Sequence, residues 1–184
     1  MYMATKTRPW TRDDLARLPD DGNRYEVLDG ELFVTPQARF DHQDIAFQLA
    51  LRLAAYVEQH ALGRVVGPGA VVFDDNELQP DIQVIPGPAR RPEGTEWTEL
   101  PTPILVVEVL SDSTKSRDLG KKRSAYRRLG IAHYWVIDHL GRRALVFTPQ
   151  NDEAIVVTDV LRWQPQLNLP PLEIALGSIL PTRQ

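Results

Sequence analysis

The longest regular pattern in the chain predicts an amphipathic helix over residues 41–60. Apolar residues recur there at three- and four-residue spacing, which places them on one side of a helix. These residues are Ile45, Leu49, Leu53 and Tyr56. The opposite side carries the polar residues Asp44, Gln48, Arg52 and Gln59. Asp41 is a suitable N-cap, because its carboxylate can accept a hydrogen bond from a free amide of the first turn.

Shorter apolar runs before and after this helix predict strands. Residues 25–28 and 32–34 flank Asp29-Gly30, a dipeptide that favours a tight hairpin turn, so Glu31 begins the second strand of a hairpin. Residues 64–73 are also typical of a strand, with a bulge or bend at Gly67-Pro68-Gly69. A short strand over 81–85 follows, and then an exposed loop rich in proline and glycine over 86–103.

The second half of the chain predicts a buried strand, a helix and three further strands. Residues 104–110 are apolar on both faces, as in a central strand covered on both sides. A helix over 117–129 ends at Gly130, a residue suited to a left-handed C-terminal position. Strands are expected over 134–137, 143–147 and 154–158, and the proline-rich end is expected to be a tail lying over the core. The predicted fold class is mixed α/β.

Composition narrows the class of protein. The chain has 184 residues, 42% of them hydrophobic and 25% charged, which predicts one globular domain over 1–184. It contains no apolar run of roughly 18 residues and no apolar leader near its start, so we expect a cytoplasmic protein. With no cysteine, disulfides and thiolate metal ligands are excluded, and any metal site uses oxygen or imidazole donors.

The net charge of the chain does not favour binding to nucleic acid, but the charge of one segment does. A formal net charge of −4 gives no general attraction to phosphate, which a pure DNA-binding module would show. Seven cations nevertheless crowd into one short stretch, where a basic patch could meet phosphate. They are Lys115, Arg117, Lys121, Lys122, Arg123, Arg127 and Arg128.

Glu108 carries the strongest chemical signal. It is the only charged residue in an otherwise aliphatic seven-residue run, and burying an unpaired carboxylate costs several kcal/mol. Something must therefore compensate its charge. A salt bridge to a nearby arginine, or a position at the open end of the sheet, would do so; a bound metal ion is the alternative.

Asp81 opens the short strand directly after Pro80, and it becomes informative beside Glu108. Taken alone, it is an ordinary aspartate at a strand end. If the two strands are neighbours, about 4.8 Å apart, both carboxylates can reach one cation. Mg²⁺ prefers a few carboxylate oxygens together with waters, a requirement that this pair meets without cysteine or histidine.

The predicted second helix turns Lys122 inward. On a 3.6-residue period Lys122 shares a stripe with Ala125, Tyr126 and Leu129, whereas Lys121 lies on a different stripe. An inward lysine beside a buried carboxylate can neutralise it structurally. It can also hold a water and stabilise phosphate charge. The helical pattern is compatible with both roles.

Four weaker candidates remain. Glu31 is either a further acidic ligand or an ordinary surface glutamate after a turn. His42, at the start of the long helix, is suited to binding phosphate at the helix N-terminus or to supporting the cap. Ser111 shapes the turn before the second helix, where backbone amides can also touch an anion, and Lys121 belongs to the basic stretch that could contact phosphate.

Taken together, these motifs resemble a known superfamily. They are PD at 80–81, VEVLS at 107–111, DLGKK at 118–122 with Tyr126, and HYWVID at 133–138, preceded by YEVLDGEL at 25–32 and by His42. This order is similar to that of the PD-(D/E)xK restriction-endonuclease-like superfamily, and more narrowly to a bacterial branch of restriction endonucleases of unknown function. The resemblance covers roughly residues 20 to 150.

One departure from the superfamily pattern concerns the lysine. It normally stands two residues after the acidic residue on the same strand, and here Leu110 occupies that position. In the branch that this chain resembles, the lysine has moved onto the following helix, where Lys122 matches. The resemblance therefore identifies the same residue as the helical stripe does.

The resemblance implies a mixed central sheet flanked by helices, with a catalytic site at one end. Asp81 and Glu108 would bind Mg²⁺ or Mn²⁺, Glu31 would assist, and Lys122 would orient a water or stabilise negative charge during hydrolysis of DNA. A homodimer is expected by analogy. The alternative is a non-catalytic nuclease fold that binds nucleic acid or a protein partner, and a third reading makes Glu108 and Lys122 only a buried structural ion pair.

Overall fold

The predicted N-terminal hairpin is confirmed. The computed structural model describes residues 8–111 and 114–182. Within it, a short helix α1 (Arg12–Leu15) precedes strands β1 (Arg24–Leu28) and β2 (Glu31–Thr35). The two strands pair antiparallel around Asp29 and Gly30, both of which have positive φ angles, of 51° and 81°. Two consecutive positive φ angles are what a two-residue hairpin turn requires, which explains the Asp-Gly dipeptide.

The long helix α2 (Phe40–Gln59) also forms as predicted, but its N-cap is Arg39 rather than Asp41. Phe40 already belongs to the helix, so Asp41 lies within the first turn. The Asp41 carboxylate accepts a hydrogen bond from the backbone N–H of His42 at 3.0 Å. An acidic residue in the first turn still suits the positive end of the helix dipole.

The prediction of one bent strand over residues 64–73 is wrong. The segment forms β3 (Arg64–Val66) and β4 (Val71–Phe73), which belong to different sheets, and β5 (Asn76–Leu78) follows. Gly67 stands between β3 and β4, close to the backbone of Asp81. A Cβ at Gly67 would lie 2.1 Å from the carbonyl oxygen of Asp81, so only glycine allows this approach.

A mixed six-stranded sheet forms the centre of the fold, as predicted. Its strands are β6 (Ile82–Ile85), β7 (Leu105–Val109), β8 (His133–Asp138), β9 (Arg143–Thr148) and β10 (Asn151–Val157), together with β3. The strand order is β10-β9-β8-β7-β6-β3, and β7 and β8 are the parallel pair in this sheet. Every residue of β7 is buried, as its apolar pattern predicts. A second sheet has the order β2-β1-β5-β4.

The predicted second helix runs through three segments without a break. They are α3 (Lys115–Arg117), a π-helical turn (Asp118–Lys122) and α4 (Arg123–Arg128). Gly130 follows with φ of 73°, as expected of a left-handed C-terminal residue. Single π-helical turns inside α-helices are rare and frequently occur at functional sites.

Two apolar cores lie on the two faces of the central sheet. One joins the inward side of α2 to alternate residues of β6 to β9, and the other joins α4, β1 and β5 to the remaining alternate residues. Short 3₁₀ turns occur at Trp97–Glu99 and Leu176–Ser178. In the part of the chain that the structure describes, no helix has both the length and the apolar character needed to cross a bilayer.

The C-terminal segment is part of the core, not a tail lying over it. It forms a two-stranded sheet of β11 (Val160–Trp163) and β12 (Leu172–Ala175). Leu161, Trp163 and Ile174 are almost fully buried and pack with residues of α2 in the first core. The prolines of this region do not prevent the two strands, because none of them lies within β11 or β12. They are Pro165, Pro170, Pro171 and Pro181.

Replacing Trp163 by alanine tests this packing. Trp163 is 1% exposed, and deleting a buried aromatic side chain costs about 3–5 kcal/mol. We expect Trp163→Ala to lower the free energy of unfolding in urea by that amount. Leu167→Ala, at a position that is 95% exposed in the same segment, should change it by less than about 0.5 kcal/mol. Equal effects of the two substitutions would contradict this account of the C-terminal segment.

Candidate active site

Asp81 and Glu108 meet because their strands are neighbours. Strands β6 and β7 pair antiparallel, with Ile82 opposite Val107. Continuing this register by one residue places Asp81 opposite Glu108. Cross-strand partners project from the same face of a sheet, so both carboxylates lie on one side. Both residues are buried, with Asp81 8% and Glu108 1% exposed.

Three donors surround the carboxylate of Asp81. Arg24 donates a hydrogen bond to Oδ1 at 2.9 Å, and the backbone N–H of Val109 donates to Oδ2 at 2.8 Å. His42 Nε2 lies 3.2 Å from Oδ2. Burial alone would raise the pKa of Asp81, but the contact with His42 and the charge of Arg24 outweigh it and hold the pKa at about 2.

Lys122 lies inward and is fully buried, as its stripe on the helix predicts. Its Nζ is 2.7 Å from Glu108 Oε1 and 2.7 Å from Glu26 Oε1. The hydroxyl of Tyr126 donates a second hydrogen bond to Glu108 Oε1 at 3.1 Å. Burial nevertheless dominates at Glu108 and raises the pKa of its carboxyl to about 8, against the opposing charge of Lys122.

Glu26 is a member of the site that the sequence reasoning missed. It is fully buried in β1, accepts a hydrogen bond from the backbone N–H of Gln79 at 2.7 Å, and lies 3.2 Å from Arg117. Glu26 stands between Tyr25 and Val27, so the period-two pattern of a strand assigns it to a solvated face. The signal in the sequence that could have identified Glu26 is its pair of flanking apolar residues, which resembles the pair around Glu108.

We call the whole group the buried charge cluster. It comprises four carboxylates and three cations, namely Glu26, Asp81, Glu108, Asp118, Arg24, Arg117 and Lys122. Two buried oxygens, Glu26 Oε2 and Asp118 Oδ1, have no hydrogen-bond partner among the described residues. The four carboxylates outnumber the three permanent cations, so a proton on Glu108, a proton on His42 beside Asp81, or an added cation would complete the balance of charge.

Two clefts border the part of this cluster formed by Arg24 and Asp81. A cleft of about 450 Å³ has Arg24, His42, Ser111 and His139 among its lining residues. A second cleft, of about 270 Å³, shares Arg24 with the first and is lined by Asp81. His42 and Ser111 therefore share the first cleft with Arg24. The hydroxyl of Ser111 is 3.1 Å from that of Thr114.

Glu31 and Lys121 do not belong to the cluster. Both are exposed, and Lys121 Nζ donates to Glu31 Oε1 at 2.6 Å. Glu31 lies at the start of β2, beyond the turn from the buried part of β1, and Lys121 lies on a helix stripe that faces solvent. We correct the two expectations for these residues accordingly, because each is the ion-pair partner of the other.

Four of the seven cations of the basic stretch have acidic partners within the chain. Arg117 contacts Glu26, and Arg128 donates to Asp29 at 2.8 Å. Lys122 is buried in the charge cluster, and Lys121 pairs with Glu31. The stretch therefore presents less positive charge to a phosphate than its composition suggests.

The donor types at Asp81 and Glu108 are those that a divalent ion of the magnesium type takes. Among residues 8–111 and 114–182, no three histidine, aspartate or glutamate side chains are arranged to enclose a metal. Asp81 and Glu108 supply two hard carboxylate donors, and Mg²⁺ characteristically takes one or two carboxylates and keeps several waters. The donor set therefore suits an ion that stays partly hydrated and does not suit a zinc cage.

The comparison with protein families decides where this chain belongs. The model of the Uma2 family, described as "Putative restriction endonuclease", matches residues 12–181. The chain belongs to the Uma2 family. The resemblance inferred from the motifs is thereby confirmed at the level of the family.

A solved structure shares the fold of this Uma2 chain. It comes from Anabaena variabilis and is described as "a putative nuclease belonging to DUF820". The two chains align with a TM-score of 0.75 at 20% identity, over 93% of this chain and 97% of the other. The fold class is thus confirmed. A search of curated proteins finds no match.

Replacing Lys122 tests whether the cluster depends on its buried cation. Lys122→Met keeps an unbranched side chain but leaves Glu26 and Glu108 without their shared partner. Breaking a buried ion pair from one side costs about 3–5 kcal/mol, and we expect a loss of that size in urea unfolding. Lys121→Met, one residue away and exposed, should cost at most about 1 kcal/mol. Equal losses would show that Lys122 does not stabilise the cluster.

The raised pKa of Glu108 predicts a dependence of stability on pH. The native carboxyl, with its pKa raised from 4.5 to about 8, retains a proton that the unfolded chain releases between those values. The free energy of unfolding should therefore fall as pH rises through this window. Between about pH 5 and about pH 8, the metal-free wild type should lose at least about 1 kcal/mol more than Glu108→Gln. If the free energies of unfolding of the two proteins change equally with pH, that result would contradict the raised pKa of Glu108.

Proposed function

We propose that this chain is a metal-dependent endonuclease that hydrolyses phosphodiester bonds of DNA. The observation that carries the proposal is the placement of Asp81 opposite Glu108, with Lys122 bonded to Glu108, beside two clefts. Membership of the Uma2 family and the shared fold support a nuclease. The finer statements, DNA as substrate and Mg²⁺ or Mn²⁺ as cofactor, are our inference from the carboxylate pair.

Asp81 and Glu108 would hold the ion. When bound, it would polarise the scissile phosphate and lower the pKa of a water. Arg24 and the backbone N–H of Val109 fix the orientation of Asp81, and its low pKa keeps its carboxylate charged at neutral pH. Glu108 would have to lose its proton before it holds a cation, so binding of the metal ion to the site should become tighter as pH rises towards 8.

Lys122 would act on the water or on the developing negative charge. Its ammonium is held between Glu26 and Glu108, with Nζ at 2.7 Å from an oxygen of each. A cation fixed in a buried site needs no reorganisation as charge develops, which is the basis of electrostatic catalysis. In this proposal Glu26 replaces Glu31 as the assisting carboxylate, because Glu26 contacts Lys122 and Glu31 contacts Lys121.

The second candidate function is a non-catalytic nuclease fold that binds nucleic acid or a protein partner. One observation favours it. Asp81 and Glu108 already have cation partners within the chain, in Arg24 and Lys122. A cluster that is complete without metal would be a structural feature only, and its role in holding two sheets together would explain why it is buried.

A cleavage assay distinguishes the two candidates. With Mg²⁺ or Mn²⁺ present, the purified protein should cut DNA, and Asp81→Asn or Glu108→Gln should lower the rate at least about a hundredfold. Glu31→Gln, which alters an exposed carboxylate outside the cluster, should leave the rate within about twofold.

Calorimetric titration with Mn²⁺ provides a second readout of the same proposal. Binding to the wild type, with loss of binding in Asp81→Asn while the variant keeps its fold, supports a metal site. Absence of Mn²⁺ binding by the wild type, together with absence of cleavage, would reject the endonuclease and favour the binding domain. Full cleavage by both cluster variants would reject the assignment of the site.

A homodimer also belongs to this proposal. It is expected by analogy with enzymes of this superfamily, in which two copies related by a two-fold axis place one site at each strand of a duplex.

A further inference from the structure

The outward side of α2 carries three large exposed apolar residues among its polar ones, which the sequence pattern did not predict. Phe40 is 84%, Phe47 60% and Leu51 50% exposed, although all three stand on the longest helix described. A single exposed apolar residue is ordinary on a protein surface. Three large ones on the same helix, two of them phenylalanines, indicate a surface that another molecule covers.

The three exposed apolar residues lie on one stripe of the helix. Positions 40, 44, 47, 51, 54 and 58 follow alternating steps of four and three residues, the spacing of a seam between paired helices. The opposite side of α2 supplies Ile45, Leu49 and Leu53 to the core. The stripe is therefore not required by the fold of the single chain. We call it the α2 stripe; it consists of Phe40, Asp44, Phe47, Leu51, Ala54 and Glu58.

We propose that the α2 stripe pairs with the same stripe of a second copy, antiparallel, around a two-fold axis between Phe47 and Leu51. Each Phe47 then faces the partner's Leu51, so the two largest central residues cover each other twice. A two-fold interface must be self-complementary in this way. By the same register, Asp44 faces the partner's Ala54, and Phe40 faces the partner's Glu58.

The charges on the stripe favour the antiparallel direction. A parallel pair would set Asp44 against the partner's Asp44 and Glu58 against the partner's Glu58, and facing like charges are destabilising. The antiparallel pair separates them and brings Glu58 to the N-terminal end of the partner's helix. Arg39, with 91% of its side chain exposed, lies at that end of the helix, and so does the positive end of the helix dipole. Asp41 also lies there, 3.9 Å from Arg39.

The exposed area is sufficient for the core of an interface. An aromatic side chain offers about 150–250 Å², so Phe40 and Phe47 together expose about 300 Å². A stable dimer buries about 800 Å² per partner, of which these two residues would provide more than a third.

Sedimentation velocity at rising protein concentration tests the assembly. We expect the wild type to approach twice the 20.8 kDa of one chain, and Phe47→Glu to remain a monomer. Leu167→Glu, at a position that is 95% exposed and outside the stripe, should dimerise like the wild type. A monomeric wild type, or a Phe47→Glu variant that still dimerises, would overturn the proposal. Circular dichroism confirms that the variant is folded.

Cross-linking tests the direction independently, and the absence of native cysteine makes it clean. A mixture of Asp44→Cys and Ala54→Cys chains should form a disulfide between the two variants. Asp44→Cys alone should not, because ten residues of helix separate the two positions by about 15 Å along the axis. Cross-linking of Asp44→Cys with itself would indicate the parallel arrangement and contradict ours. This interface rests on the homodimer of the proposed function, and a monomeric wild type would remove that homodimer. Neither experiment measures cleavage, so the proposed nuclease activity is left to its own tests.

Discussion

The fold depends on a buried ammonium group that joins three elements. Lys122 comes from the π-helical turn before α4, and it contacts Glu26 of the four-stranded sheet and Glu108 of the six-stranded sheet. All three residues are at most 1% exposed. Each charge would be costly alone in this environment, and their mutual contacts make their burial tolerable. The relative position of the two sheets and the helix is thus tied to the geometry of the site.

This arrangement also sets what the site can do. The carboxylate pair of Asp81 and Glu108 lies where β6 and β7 are paired, and a cleft shared with Arg24 borders Asp81. The two carboxyl groups differ in environment: hydrogen bonds and Arg24 keep the pKa of Asp81 low, while burial raises that of Glu108. Glu108 can therefore exchange its proton for a divalent ion while Asp81 remains charged.

Local patterns were sufficient for most elements and for the burial of Glu108 and Lys122. The Asp29-Gly30 turn, the apolar run around Glu108 and the helical stripe of Lys122 each express a short-range rule, and the structure agrees with them. Glu26 was missed because a strand in sequence does not reveal whether its second face is covered. The division between β3 and β4 was missed for a similar reason, since sheet membership depends on distant partners.

Two further differences arise from the same limit of local reasoning. The prolines near the C-terminus suggested a tail, yet Trp163 and Ile174 fill the first core from a two-stranded sheet. Lys121 and Arg128 suggested part of a phosphate patch, yet their partners Glu31 and Asp29 come from the N-terminal hairpin, 90 and 99 residues away. In both cases the deciding contacts are long-range, and spacing along the chain carries no information about them.

The most direct test of the central claim is a crystal of the protein soaked in Mn²⁺, with anomalous scattering used to locate the ion. We predict a peak between Asp81 and Glu108, within bonding distance of a carboxylate oxygen of each, with Lys122 beside Glu108. Crystals with no peak at the cluster, in which Arg24 still binds Asp81 and Lys122 still binds Glu108 at saturating Mn²⁺, would contradict the account.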